Sequence, residues 1–181
     1  LEYKTITEWD ELIWKKTEGI YQQAFPKEGR KSRTNIRRMF ERKMCHLHLA
    51  IDNNEVIAMA LTAMDEQALV LIIDYIAIRE DLRSKGHGKL LINYIKEWAE
   101  TTKSRGIIVE VEAESNPENT NRIRFWQAYG FRLTEYVHQY IWVPEPYQAM
   151  YLNMDKANGL PEGGEKLFQY INQYHKKAYN K

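Results

Sequence analysis

The stretch from Leu69 to Thr102 constrains the fold more than any other part of the chain. LVLIIDYIAI reads as a strand, Leu69 to Ile78. REDLRSKGHG follows as a basic, glycine-punctuated loop. KLLINYIKEWAETT then reads as an amphipathic helix running from Gly88. Leu90, Leu91, Tyr94, Ile95, Trp98 and Ala99 make its apolar stripe, with Lys89, Asn93, Lys96, Glu97 and Glu100 opposite. A strand that leaves through a helix returns beside itself as a parallel neighbour. The next strand pattern, Ile107 to Glu114, supplies that neighbour.

The loop between these elements suits an anion. Arg83-Ser84-Lys85-Gly86-His87-Gly88 has the form Arg-x-x-Gly-x-Gly. Glycines let a backbone turn tightly and approach a ligand. A helix start leaves N–H groups without intrahelical partners and adds partial positive charge. Arg83, Lys85 and Lys89 add full charges. A pyrophosphate fits such a loop, although a plain basic turn has the same composition. Two familiar phosphate loops are excluded. The third glycine of a dinucleotide fingerprint would fall at Leu91, and Gly88-Lys89 is followed by Leu90 rather than Ser or Thr.

The remaining chain adds elements on either side. Thr7 to Phe25 predicts a helix capped by Thr7 and ended by Pro26. PKEGRKS predicts a turn, and a second helix from Ser32 or Thr34 runs to Met44. Its basic face, Arg37, Arg38, Arg42 and Lys43, reads as solvated, with an acceptor-channel wall as the sharper alternative. His46 to Ile51 and Glu55 to Met64 predict strands joined at Asp52-Asn53-Asn54. After Glu114, SNPEN reads as a loop, Thr120 to Tyr129 as a helix stopped by Gly130, and Arg132 to Val143 as a strand. A break at Pro144-Glu145-Pro146 leads to a last strand, Ala149 to Met154, and EKLFQYINQYHKKAY to a C-terminal helix. The expected class is α/β (α+β): a mixed, mostly antiparallel sheet of about six to seven strands with helices on both faces. Residues 1–156 form the expected domain, with 157–181 as a helical extension.

With 26 basic and 25 acidic residues, a dedicated nucleic-acid binder is disfavoured. Cys45 is the only cysteine, so an internal disulfide is impossible and a reducing compartment is expected. No apolar run is long enough to span a bilayer. Cytoplasm is the expected location. His46 and His48 alternate on a strand without the partners a metal site needs.

A second motif joins the first. Asn119-Thr-Asn-Arg-Ile-Arg-Phe125-Trp126-Gln-Ala-Tyr-Gly130-Phe131 follows the loop at a suitable separation. Together the two resemble the signatures of the GNAT family of acyl-CoA-dependent N-acetyltransferases, over about Ala50 to Met154. The departures are Arg122 at a small-residue position and Trp126 where the family usually has tyrosine. The resemblance implies acetyl-CoA as donor, with the pyrophosphate on Arg83, Ser84, Lys85, Gly86, His87, Gly88 and Lys89. It places the thioester near the backbone of Ile76, Ala77 and Ile78, and Asn119, Phe125 and Trp126 along the cofactor.

The implied reaction is acetyl transfer to a primary amine, of a small molecule or a peptide, by direct attack. It needs a base, and Glu110, within Val109-Glu110-Val111, matches the family's glutamate. Glu110, Glu112 and Glu114 share a strand face, where like charges raise one another's pKa; a solvent-facing strip is the plainer reading of the same alternation. Asp74 is a second candidate, or else a buried carboxylate satisfied by backbone donors. An indole is not a useful acid, so Trp126 leaves the leaving thiolate without the usual donor. Tyr129 is the favoured replacement, with Tyr75, Tyr136 and His138 as others. The alternative function is a non-catalytic acyl-CoA-binding regulatory or interaction module. The C-terminal helix is available to close the site, to pair a homodimer or to cover the sheet.

Overall fold

The structure, a computed structural model, describes residues 1–180. The chain forms two compact units. The first holds Leu1–Met64, Ile73–Trp98 and the residues from Ala178; the second holds Asp65–Ile72 and Ala99–Lys177.

In the first unit, β1 (Glu2–Ile6) pairs antiparallel with β2 (Cys45–Asp52), and β2 with β3 (Glu55–Asp65). β1 was not expected, yet its residues alternate. Tyr3 stacks on Tyr94 and Thr5 bonds Tyr94 Oη at 2.8 Å, while Glu2 and Lys4 are exposed. Because β1 uses the chain up to Ile6, helix α1 (Glu11–Ala24) starts later than Thr7. Its cap is Asp10, whose carboxylate accepts the Ile13 N–H at 3.1 Å. Helix α2 (Arg33–Glu41) has the expected cap, Ser32, but ends before Met44, with Lys43 in a left-handed conformation. The β2–β3 turn is the predicted one. Asn53 and Asn54 both have positive φ, 49° and 64°, as a two-residue hairpin turn requires. Val56 to Ala63 are all buried, so β3 has both faces covered.

β4 (Val70–Ile78) crosses from the second unit into the first, and α3 (His87–Thr101) returns. Its first residues, Val70 to Ile72, pair in parallel with Gly106 to Ile108 of β5 (Gly106–Glu112), as the crossover predicts. β5 pairs antiparallel with β7 (Pro146–Asn153), and β7 with β6 (Arg132–Gln139). Among the described residues, seven strands form a mixed sheet in the order β1-β2-β3-β4-β5-β7-β6.

Four boundaries in this unit differ from the sequence reading by two residues or more. β5 stops at Glu112, so Glu114 is not on the strand. α4 (Pro117–Ala128) starts earlier than Thr120, because Asn116 caps it and Pro117 fills the first turn. β6 ends at Gln139, whose side chain donates to the carbonyls of Val143 and Pro144 at 3.2 Å. β7 begins at Pro146, a first-strand position that proline tolerates.

Helix α5 (Gly164–Tyr179) buries Leu167, Phe168, Ile171 and Tyr174. A Cβ on Gly164 would collide with the Thr134 side chain, so only glycine allows this approach to β6.

Candidate active site

In the first unit, the loop between β4 and α3 combines two left-handed residues with a helix start. Ser84 and Gly86 have φ of 63° and 87°. Nothing lies within 4 Å of a Cβ built on Gly86. Helix α3 begins at the next residue, His87, so the amides of His87, Gly88 and Lys89 lie in a helical first turn. Arg83 Nε donates to the Ile78 carbonyl at 3.1 Å, tying the loop to the end of β4. Arg83, Ser84, Lys85 and Lys89 are exposed; His87 is half-buried, and its Nδ1 has no hydrogen-bond partner among the described residues. Ala77 is buried and Ile76 and Ile78 half-buried, next to the loop in the chain.

The same unit settles Asp74. Its carboxylate pairs with Lys31 Nζ at 2.7 Å, and both side chains are almost wholly buried. The Lys31 ammonium also lies over the rings of Tyr75 and Tyr179, 5.4 and 5.0 Å from their centroids. Asp74 therefore has a buried ammonium as a partner, one the sequence did not suggest. Lys31 escaped notice because PKEGRKS reads as an exposed turn. Tyr75 donates to the Gly29 carbonyl at 2.8 Å, and burial and the Asp74 charge push its phenol well up, which removes it as an acid.

His48 is fully buried, with Thr5 Oγ1 2.9 Å from Nδ1 and Thr62 Oγ1 2.8 Å from Nε2. Burial, then His46, pushes it down to about 3. It is a neutral core histidine. Among the described residues no cluster of His, Cys, Asp or Glu is arranged to hold a metal.

In the second unit, Glu110 is the hub of a small cluster. Tyr140 Oη donates to Glu110 Oε2 at 2.7 Å, and His175 Nε2 lies 3.1 Å from Oε1. Sequence reading had not singled out Tyr140 or His175; they lie 30 and 65 residues away in the chain. The expected strip of three like carboxylates does not form. Glu112 is 3.8 Å from Arg122 Nη1, and Glu114 lies past the strand, its carbonyl accepting from Asn119 Nδ2 at 3.0 Å. Arg122, the departure from a small residue, also reaches Glu118 at 3.5 Å and Asn119 Oδ1 at 3.5 Å. Tyr147 is pushed up to about 12 by burial and then by Glu110, Glu112 and Glu145, against Arg122.

The second motif is a packed aromatic unit. Trp126 is buried, with Phe131 and Phe125 at centroid distances of 4.9 and 5.4 Å. Tyr129, the C-cap of α4, is half-buried with its ring 5.0 Å from Phe125. Tyr136 Oη bonds His138 Nδ1 at 3.1 Å, and the His138 ring stacks on Phe168 at 4.4 Å.

These elements define an α/β protein with a mixed sheet and a glycine-containing loop leading into a helix. The model of the Acetyltransferase (GNAT) family matches residues 6–131, well over half the chain. The chain belongs to that family, whose acyl donor is acetyl-CoA. No curated protein matches it. Among solved structures it is similar to a protein of Bacteroides thetaiotaomicron described as a GNAT-family acetyltransferase. That match has 24% identity and a TM-score of 0.75, and covers 99% of this chain and 98% of the other. It is also similar to the ribosomal-protein-S18-alanine N-acetyltransferase of Escherichia coli, at 16% identity and TM-score 0.64, covering 88% and 96%. An aminoglycoside 6'-N-acetyltransferase complexed with coenzyme A gives 11% and 0.68, covering 86% and 98%. Likeness at these identities is likeness of fold.

Proposed function

We propose that the protein is an acetyl-CoA-dependent N-acetyltransferase that modifies a primary amine by direct attack, with Glu110 as base. The observation that carries this reading is the set of partners around Glu110. They are a phenol and an imidazole rather than a lysine or arginine, so the carboxylate is held without being cancelled by a fixed cation. Its side chain keeps 22% exposure, enough to meet an amine.

The loop fits acetyl-CoA through the open space at Gly86 and the first-turn amides of α3. Arg83, Ser84, Lys85, Gly86, His87, Gly88 and Lys89 would hold the pyrophosphate. The backbone of Ile76 to Ile78 would hold the thioester, and Asn119 and Phe125 the pantetheine arm, with Trp126 packed behind Phe125. Bound there, acetyl-CoA supplies an acyl group already activated as a thioester. Glu110 takes the proton of the incoming ammonium, which frees the nitrogen lone pair. Tyr129 gives a proton to the departing sulfur, the task an indole at position 126 cannot perform. The acceptor is a small-molecule or peptide amine. A cytoplasmic location belongs to the same proposal, with the sole thiol, Cys45, buried in β2. Among the described residues no helix is long and apolar enough to cross a membrane.

The burial of Trp126 favours a second reading, a module that binds acyl-CoA without turning it over. Release of free CoA from acetyl-CoA, followed across alkylamines, polyamines, amino sugars and peptide N-termini, separates the two. Turnover with one class of amine supports the enzyme. Tight acetyl-CoA binding with no turnover on any amine leaves the module. Gly86→Glu tests the loop in both cases. It adds a negative charge and puts a side chain at φ 87°. The expected loss of acetyl-CoA affinity is roughly 100-fold or more by calorimetry; unchanged affinity refutes the loop.

A further inference from the structure

We infer that His175, on the C-terminal helix, is a positioning residue for Glu110. The inference rests on the reading of Glu110 as the base, and it gives the last helix a part in the chemistry.

The geometry is specific. The two carboxylate oxygens of Glu110 each have one partner: Oε2 takes the Tyr140 hydroxyl at 2.7 Å, and Oε1 faces His175 Nε2 at 3.1 Å. A carboxylate in this setting only accepts, so Nε2 carries the proton. Each oxygen keeps further lone-pair capacity for an incoming proton. Two donors at opposite ends of the group fix the carboxylate plane, and therefore the direction in which that capacity points. A base held in one orientation meets its proton more often than one that rotates.

Both partners are themselves held. Tyr140 is buried among the rings of His138, Trp142 and Tyr147, at centroid distances of 4.6, 5.3 and 5.6 Å. His175 sits one turn after the buried Ile171, on a helix whose start is locked by Gly164 against Thr134. Its own ring lies 5.1 Å from Tyr174 and 6.4 Å from Tyr140. Tyr147 senses the charge of Glu110 together with those of Glu112, Glu145 and Arg122, and Arg122 pairs with Glu112; Oε1 itself faces the imidazole. Tyr140 and His175 both lie beyond the family match, which ends at residue 131. The orientation of Glu110 is thus set by parts of the chain that the shared family pattern does not include.

The test uses the full chain with acetyl-CoA and the fastest amine of the panel above. His175→Ala is expected to lower kcat by about tenfold or more. KM for acetyl-CoA and its calorimetric affinity should stay within about twofold. His175→Gln puts an amide N–H near the place of Nε2 and is expected to restore most of the rate, which a merely space-filling role does not predict. Tyr140→Phe removes the other donor and is expected to resemble His175→Ala. Wild-type kcat in His175→Ala overturns the inference. So does a His175→Gln variant that melts like the wild type yet is as slow as His175→Ala. If His175→Ala fails to fold, His175→Gln decides alone: a near-native rate supports positioning and a tenfold loss overturns it. Glu110→Gln is run in parallel. If it turns over normally, the reading of Glu110 as base falls. If Glu110→Gln is inactive while His175→Ala is not, only the role of His175 falls.

Discussion

Asp74 and Glu110 are the two carboxylates the sequence offers as base, Glu110 first and Asp74 second. Each lies on a mainly apolar strand, Asp74 alone in β4 and Glu110 two residues before Glu112 in β5. Their surroundings separate them. Asp74 is 7% exposed and bonded to a buried ammonium; Glu110 is 22% exposed and bonded to a phenol and an imidazole. A carboxylate locked to a buried lysine gives up its charge to structure. One held by neutral-capable donors keeps that charge for chemistry. Partner identity, more than strand position, tells which carboxylate is structural and which is available.

The comparison breaks most visibly on stability. Removing one member of a buried ion pair leaves the other charge uncompensated, at a cost of about 3–5 kcal/mol. Asp74→Asn is expected to lose stability on that scale in chemical denaturation, while the molecules that remain folded still turn over. A variant within about 1 kcal/mol of wild type would show that the Lys31–Asp74 pair is not what holds this region.

The double substitution Lys31→Met with Asp74→Leu sharpens the same point. Replacing both charges by apolar groups of similar volume is often neutral or stabilising. The double variant is expected to recover most of the loss of Asp74→Asn and to melt within a few degrees of wild type. Failure to recover would mean that the tyrosine rings around Lys31 need the ammonium itself, through cation–π contact.

The difference between the two carboxylates was invisible in the sequence because their partners are remote. Lys31 is 43 residues from Asp74, Tyr140 is 30 from Glu110 and His175 is 65 from it. The Arg83–Lys89 loop was readable because its features are local: a left-handed Gly86 and a helix start at His87 follow from a few adjacent residues. The β2–β3 hairpin was readable for the same reason, through Asn53 and Asn54. The crossover from β4 to β5 followed from strand–helix–strand order alone. β1 was missed because a five-residue strand has little pattern of its own and is fixed by pairing with β2. The start of α4 was missed because Asn116 and Pro117 resemble a loop in composition, although together they form a helix cap and a first turn.

The smallest expected effect concerns Glu110 itself. Its two hydrogen bonds are part-buried, and a typical net contribution is about 0.5–1.5 kcal/mol each. Glu110→Gln keeps the shape of the side chain and one acceptor oxygen, so a bond to Tyr140 or to His175 survives. The lost stability is therefore expected to stay near 1 kcal/mol, well below that of Asp74→Asn, even as the rate collapses. Measured together, the two variants form a crossed pair, one costing mainly stability and the other mainly turnover. A Glu110→Gln protein that unfolds as readily as Asp74→Asn would place Glu110 with the structural carboxylates. The acid–base role would then pass to a group outside this cluster.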